Sequence, residues 1–257
     1  MPPPPKSRPL LLGHRGASKY APENTPAAFD LALKHGCDGF EFDVRYTCDG
    51  HTVLSHDPFL NALEIGATTY SDLCRSVPTQ ELAQLRAANA VSSTVSSVAM
   101  ASPAPKLACL EDVIQNYGKS AFLDIELKVE GEIQRWLAAL QSSPPQRGYV
   151  VSSFVPEVLM AVHHAEPSIP LGLIVGSRKG EQLAVWHELP VSTLILNFRL
   201  IVPSLIEDLH NAGKGVYVWT VNDRGKMLEL ADMGVDGIIS DDTKLLSTTF
   251  ASLNEST

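Results

Sequence analysis

Between Gly39 and Val44 the chain runs Gly-Phe-Glu-Phe-Asp-Val, so apolar and acidic positions alternate with the period of a strand. Phe40, Phe42 and Val44 then share one face, and Glu41 and Asp43 share the other. The run Ala121 to Leu127 repeats the device: Leu123, Ile125 and Leu127 alternate with Asp124, Glu126 and, one step further, Lys128. Shorter apolar runs at Pro9 to Leu12, Tyr149 to Ser152, Leu171 to Val175, Thr193 to Asn197, Gly215 to Val221 and Asp236 to Ser240 bring the predicted strands to about eight. Between them the pattern changes to that of helices, predicted over Pro26 to Lys34, Leu110 to Tyr117, Glu130 to Leu140, Pro156 to Ala165, Gly180 to His187, Pro203 to Asn211 and Arg224 to Asp232, with one more after Ser240. Strands separated by helices in this way predict an α/β protein of the (β/α)8 TIM-barrel kind. An open doubly wound sheet is the alternative. It calls for a GxGxxG loop after the first strand, where this chain has Gly13-His14-Arg15-Gly16.

The rhythm is interrupted once. After the turn signal Cys48-Asp49-Gly50, Thr52 to Ser55 looks like the return strand of a hairpin leading to His56-Asp57. Phe59 to Pro105 is irregular, with a short helical pattern at Thr79 to Ala88 and an Ala/Ser/Val-rich stretch from Ala87 to Ala104. The expected organisation is a single barrel domain over 1–257, with 1–8 as a loose proline-rich tail and about 57–105 inserted after strand 2. There is also an internal echo: His35 to Asp43 and Met233 to Asp241 both run helix end, glycine, buried strand, acid.

Composition narrows the function. At 257 residues and 44% hydrophobic the chain can build one sizeable core. A net charge of -9 argues against a nucleic-acid surface, so any phosphate recognition must be local. Cys37, Cys48, Cys74 and Cys109 lack CxxC spacing and read as free thiols in a reducing compartment. No apolar run approaches a membrane span, and the tail lacks the apolar centre of a signal peptide, so a soluble, cytoplasmic protein without stable membrane insertion is expected.

In a barrel the chemistry lies where the strands end. Strand one delivers His14 and Arg15, strand two Glu41 and Asp43 with His56 on its hairpin, and strand three Glu126 and Lys128. Acids on an inward strand face repel one another and are costly to desolvate, and a bound cation resolves both problems. The alternative is an edge strand with its acids in water, which leaves Phe40 and Phe42 without cover. Glu41, Asp43 and Glu126 form an all-oxygen set suited to one hard divalent cation, Mg2+ or Ca2+, rather than zinc. Arg15 and Lys128 beside it make the pocket expected for a phosphate group. Cleaving a phosphodiester needs one group to activate the attacking oxygen and another to protonate the leaving alkoxide, tasks that suit His14 and His56. The remaining histidines read as structural. Asp124 is either a partner of these groups or a buried structural acid. Trp219, placed inward with Tyr217 and Val221, reads as a wall for the substrate's carbon skeleton or as a core aromatic. Asn197 is a weaker candidate of the same kind.

These residues also carry a pattern. Gly13-His14-Arg15-Gly16-Ala17 with Pro22-Glu23-Asn24-Thr25, then Glu41-Phe42-Asp43-Val44, Asp49-Gly50, His56-Asp57, Glu126-Leu127-Lys128, Trp219-Thr220-Val221-Asn222 and Gly234 to Asp241 closely resemble the glycerophosphodiester phosphodiesterase family, in its order, from Leu11 to about Leu246. The resemblance implies a TIM-barrel hydrolase that cleaves glycerophosphodiesters such as glycerophosphocholine to an alcohol and glycerol 3-phosphate. It implies further that Glu41, Asp43 and Glu126 hold a divalent ion, that His14 and His56 act as acid and base, and that Arg15 and Lys128 bind phosphate. A close variant acts on lysophospholipids in the manner of a phospholipase D, with Ala87 to Ala104 as an apolar path for the acyl chain. Asp124 stands where the family commonly has asparagine, and Leu60 to Tyr70 keeps only Thr68-Thr69 of the family's usual run.

Overall fold

The computed structural model describes residues 8–76, 107–176 and 185–251. Eight parallel strands close into a barrel: β1 (Leu10–Gly13), β2 (Gly39–Tyr46), β6 (Phe122–Leu127), β7 (Tyr149–Ser153), β8 (Leu171–Val175), β9 (Thr193–Asn197), β10 (Gly215–Trp219) and β11 (Gly237–Ser240). The β1–β2 and β1–β11 pairings shut the ring, so the sheet core has no free edge. β3 (Thr52–Leu54) pairs antiparallel with the outer half of β2, as the hairpin signal predicts. The predicted α/β class and barrel topology are therefore borne out.

Side chains separate into two layers. Leu12, Val150, Ile174, Ile195 and Ile239 fill the barrel interior with Tyr217 and Trp219 packed on them. Their neighbours in sequence point outward into the larger core beneath the helices. There Phe29, on helix α1 (Pro26–Lys34), stacks on Phe40 at 4.2 Å between ring centroids, and Tyr117 meets both rings edge-on. This apolar grip on the outer side of β2 turns its acids toward the barrel centre.

Thr25 caps α1, accepting from the Ala28 N–H at 3.3 Å, with Pro26 in the first turn. Thr25→Ala is expected to cost about 1 kcal/mol. For a chain of this length that lowers Tm by roughly 2–4 °C. Thermal unfolding checks it, and an unchanged midpoint would contradict the cap.

Two boundaries differ from expectation. The helix predicted from Glu130 starts at Ile133; just before it the backbone of Gly131 lies against the Tyr46 ring, where a Cβ would fall 2.2 Å from a ring atom. β10 ends at Trp219, and Val221 packs in the outer core rather than on the inner face. The described part of the insertion is ordered: a two-stranded hairpin of β4 (Phe59–Leu60) and β5 (Leu63–Glu64), a single 3-10 turn, and α2 (Tyr70–Ser76). It has a small core of its own from Val53, Ile65, Leu73, Cys74 and Leu107. The helical pattern at Thr79 to Ala88, the stretch Ala87 to Ala104 with its suggested acyl path, and the first part of the Gly180 to His187 helix lie outside the described residues. Val185–Glu188 is a 3-10 turn. Among the described residues no helix is long and apolar enough to cross a membrane.

Candidate active site

The register of β2 on β6 sets Glu41 beside Asp124 and Asp43 beside Glu126, all with side chains toward the barrel axis. Carboxylate oxygens of Glu41, Asp43 and Glu126 lie within 4.8 Å of one another, and all three residues are buried. His14 and Arg15 reach the same place because β1 ends one residue earlier, at Gly13. The loop that carries them turns sharply. Arg15 takes a left-handed φ of 52°, and Gly16 follows at φ 80°, pressed so closely on α1 that a Cβ would fall 2.6 Å from the Ala28 carbonyl carbon. This turn aims the Arg15 N–H at Glu41 Oε2, at 2.8 Å, while its guanidinium lies 3.1 Å from Asp43 and 3.0 Å from Glu23.

Lys128 projects from the end of β6 and pairs with Glu126 and, at 2.7 Å, with Asp43. His14 presents Nε2 at 3.9 Å from Glu41 Oε2 and Nδ1 at 2.7 Å from Asp241. His56 sits across the opening on the loop after β3. Its Nδ1 meets Asp57 at 2.9 Å, and its backbone carbonyl is held by the Arg45 guanidinium at 2.7 and 3.0 Å.

These groups surround a cavity of about 100 Å³. Its polar wall includes His14, Arg15, Glu41, His56, Glu126 and Lys128. Its apolar wall is Trp219, Phe154 and three isoleucines of the barrel interior. Of the residues predicted to hold the cation, bind the phosphate or move protons, Asp43 alone stands behind the wall; Trp219 is placed as the alternation required, edge-on to Phe154. Asn197 does not border the cavity and instead caps the 3-10 turn that follows it.

A model of the glycerophosphoryl diester phosphodiesterase family matches residues 14–245. The chain belongs to this family. Among its relatives, the Bacillus subtilis protein YhdW is 31% identical over 242 residues, covering 90% of this chain and 93% of that one. A glycerophosphodiester phosphodiesterase of Caldanaerobacter subterraneus is 29% identical over 246 residues, covering 92% and 96%. Among solved structures, an Oleispira antarctica phosphodiesterase determined with the product sn-glycerol-3-phosphate superposes with a TM-score of 0.71 at 24% identity, covering 95% of this chain and 97% of that one. A Thermotoga maritima glycerophosphodiester phosphodiesterase gives 0.67 at 23%, covering 96% and 99%. These last two likenesses show the shared barrel. As a member of the family the protein is a phosphoric diester hydrolase.

The charge balance around this cavity is uneven. Burial, then the charges of Asp43, Glu126 and Asp124, push the Glu41 carboxyl well above the usual range, and Glu41 Oε1 is buried without a hydrogen-bond partner. Burial also raises Glu126 against the opposing pull of Lys128. For Asp43 the balance reverses: burial is outweighed by Lys128, Asn24 and Arg15, and its carboxyl falls below the usual value. Asp124, fully buried, is pushed up to about 7 by desolvation, despite a hydrogen bond from Ser152 at 2.6 Å. Asp124 lines the cavity rather than standing apart from it.

Several residues of this family member's site were not singled out by sequence. Asn24 clamps Asp43 at both ends, donating to Oδ2 at 2.8 Å and accepting from the Asp43 N–H at 3.0 Å. The Pro22-Glu23-Asn24-Thr25 motif thus serves the site and the helix cap together. Asp241, which also accepts from Asn222 at 2.6 Å and Ser18 at 3.1 Å, stands in the sequence as the last residue of the internal echo and of the Gly234 to Asp241 motif, with no role attached to it. Arg45 and Phe154 carried no signal at all.

Proposed function

We propose that this phosphodiesterase hydrolyses small glycerophosphodiesters, such as glycerophosphocholine or glycerophosphoethanolamine, to the free alcohol and sn-glycerol 3-phosphate, with one divalent cation as cofactor. The observation that carries the reading is the convergence of three buried carboxylates from two adjacent strands on one point, flanked by two cationic side chains and two imidazoles. The product bound by the Oleispira antarctica phosphodiesterase is of the same chemical class.

The donor set fits a hard cation. It is all carboxylate, it carries an unpartnered buried oxygen on Glu41, and its mutual repulsion calls for positive charge. Glu41, Asp43 and Glu126 would hold Mg2+ or Ca2+. When bound, such an ion polarises the phosphoryl oxygens and offsets charge building at phosphorus.

The protein's own groups do the rest. Arg15 and Lys128 bind the phosphate, drawn from the acids they now neutralise. His14 and His56 divide the proton transfers, one taking the proton of the attacking oxygen and the other giving one to the leaving alkoxide as the P–O bond to the alcohol breaks. Trp219 and Phe154 form an apolar wall for the carbon skeleton of the substrate. The test is a product assay. Purified protein with a divalent cation is expected to convert glycerophosphocholine to equal amounts of choline and glycerol 3-phosphate. Release of phosphocholine and glycerol instead would place the broken bond on the other side of phosphorus and overturn the assignment.

A further inference from the structure

Asp241 is not among the residues assigned above to the phosphate, the cation or the proton transfers, yet its carboxylate is the closest polar partner of His14. Barrel closure brings them together. β1 pairs with β11 in a register that sets Gly13 beside Ser240, so the next residues, His14 and Asp241, leave the sheet side by side. The contact is 2.7 Å from Nδ1 to Oδ1. The carboxylate is itself held from two further directions, by Ser18 from the β1 loop and by Asn222 from the loop after β10. Asn222 cannot turn over, because its Oδ1 accepts from Ser240 Oγ at 2.8 Å and from the Asp241 N–H at 3.0 Å.

We infer that Asp241 is a positioning residue for His14, fixing both the plane of the imidazole and the nitrogen that carries its hydrogen; this rests on the reading of His14 as an acid–base group. Burial opposes ionisation of Asp241, but the bonds from His14, Asn222 and Ser18 prevail and hold the carboxyl at about 2. An ionised carboxylate only accepts, so Nδ1 carries the hydrogen. In the neutral ring Nε2 is then bare, and it is Nε2 that faces Glu41 and the cavity. The arrangement serves the imidazolium too, since the charge formed when Nε2 takes a proton lies against Asp241.

Asp241→Asn tests this with almost no change of shape. The fixed Asn222 amide requires an oxygen opposite it, so the new amide nitrogen must face His14 and donate to Nδ1, which drives the hydrogen to Nε2. The expected result is a fall in kcat on the order of 10²-fold or more with KM within about twofold, the scale of one misplaced acid–base group. Long-range proton–nitrogen NMR spectra are expected to show a bare Nε2 in the native ring and a protonated one in the variant. Because Asp241 would act through His14, the His14→Ala/Asp241→Asn double variant is expected to be no slower than His14→Ala. Tyr20→Phe serves as the control for loosening of the β1 loop. It removes the 2.5 Å bond from Tyr20 to Asp242 in the same pair of loops and is expected to leave kcat within about twofold. Near-native kcat for Asp241→Asn beside an inactive His14→Ala would overturn the proposal, as would additive losses in the double variant. An active His14→Ala would instead overturn the role of His14 itself and remove what Asp241 acts through.

Discussion

Stripping divalent cations with EDTA is expected to reduce diester cleavage to background and lower Tm, and restoring Mg2+ or Ca2+ is expected to reverse both. Both effects follow from the cost of burying three acids together. Glu41, Asp43 and Glu126 are buried within reach of one another, and Lys128 and Arg15 neutralise chiefly Asp43 and Glu126. Among the described residues, Glu41 receives one backbone N–H and no side-chain cation closer than the His14 ring. A cation at 100 times its Kd adds about 2.7 kcal/mol to stability by mass action alone.

Glu41→Gln separates this cost from the function. Glutamine keeps an acceptor for the Arg15 N–H and ends the repulsion with Asp43, Glu126 and Asp124, so in EDTA the variant is expected to be the more stable protein. A gain of about 1 kcal/mol corresponds to a Tm rise of roughly 2–4 °C at this chain length. The same variant is expected to show no cation-dependent rise in Tm and no turnover. Stability gained and activity lost in one substitution is the mark of a site kept strained for use. A Glu41→Gln protein less stable than the native one in EDTA, or still active with Mg2+, would contradict the cation site.

Much of this was legible in the chain because alternation survives burial. Glu41 and Asp43 declare an inward face only when Phe40 and Phe42 declare the outward one, and Asp124 to Lys128 say the same for the neighbouring strand. The start of α1 at Pro26 was equally local. What resisted reading depends on closure or on unsignalled turns. Asp241 lies 227 residues from His14 and meets it only because β1 pairs with β11. The β4–β5 hairpin turns at Asn61 and Ala62, both at positive φ, of 48° and 66°. A glycine there would have announced it, and alanine does not. Gly131 reads as a helix-compatible residue until the Tyr46 ring is placed beside it. Alternation alone places Trp219 inside, but it does not extend to Val221, because the strand ends at Trp219 and the period ends with it.

His56→Ala is expected to lower kcat by about 10²- to 10⁴-fold while leaving Tm almost unchanged. His56 rides on a loop, its side chain is 41% exposed, and among the described residues its ring bonds the adjacent Asp57 alone, so the fold loses little when it goes. Surface changes of that kind stay within about 0.5 kcal/mol. The backbone position survives as well, since Arg45 grips the carbonyl and not the ring. His14 is tied into the β1–β11 junction, so His14→Ala is expected to lose both activity and some stability. The two variants can then be set against two leaving groups. Choline alkoxide must be protonated as it departs, and p-nitrophenolate need not be. The variant that has lost the acid is expected to recover most of its rate on a glycerophospho-p-nitrophenyl ester, and the variant that has lost the base is expected to stay slow on both. If both variants respond alike to the leaving group, the two imidazoles do not divide the proton transfers, and the two-histidine mechanism fails even though the cation site stands.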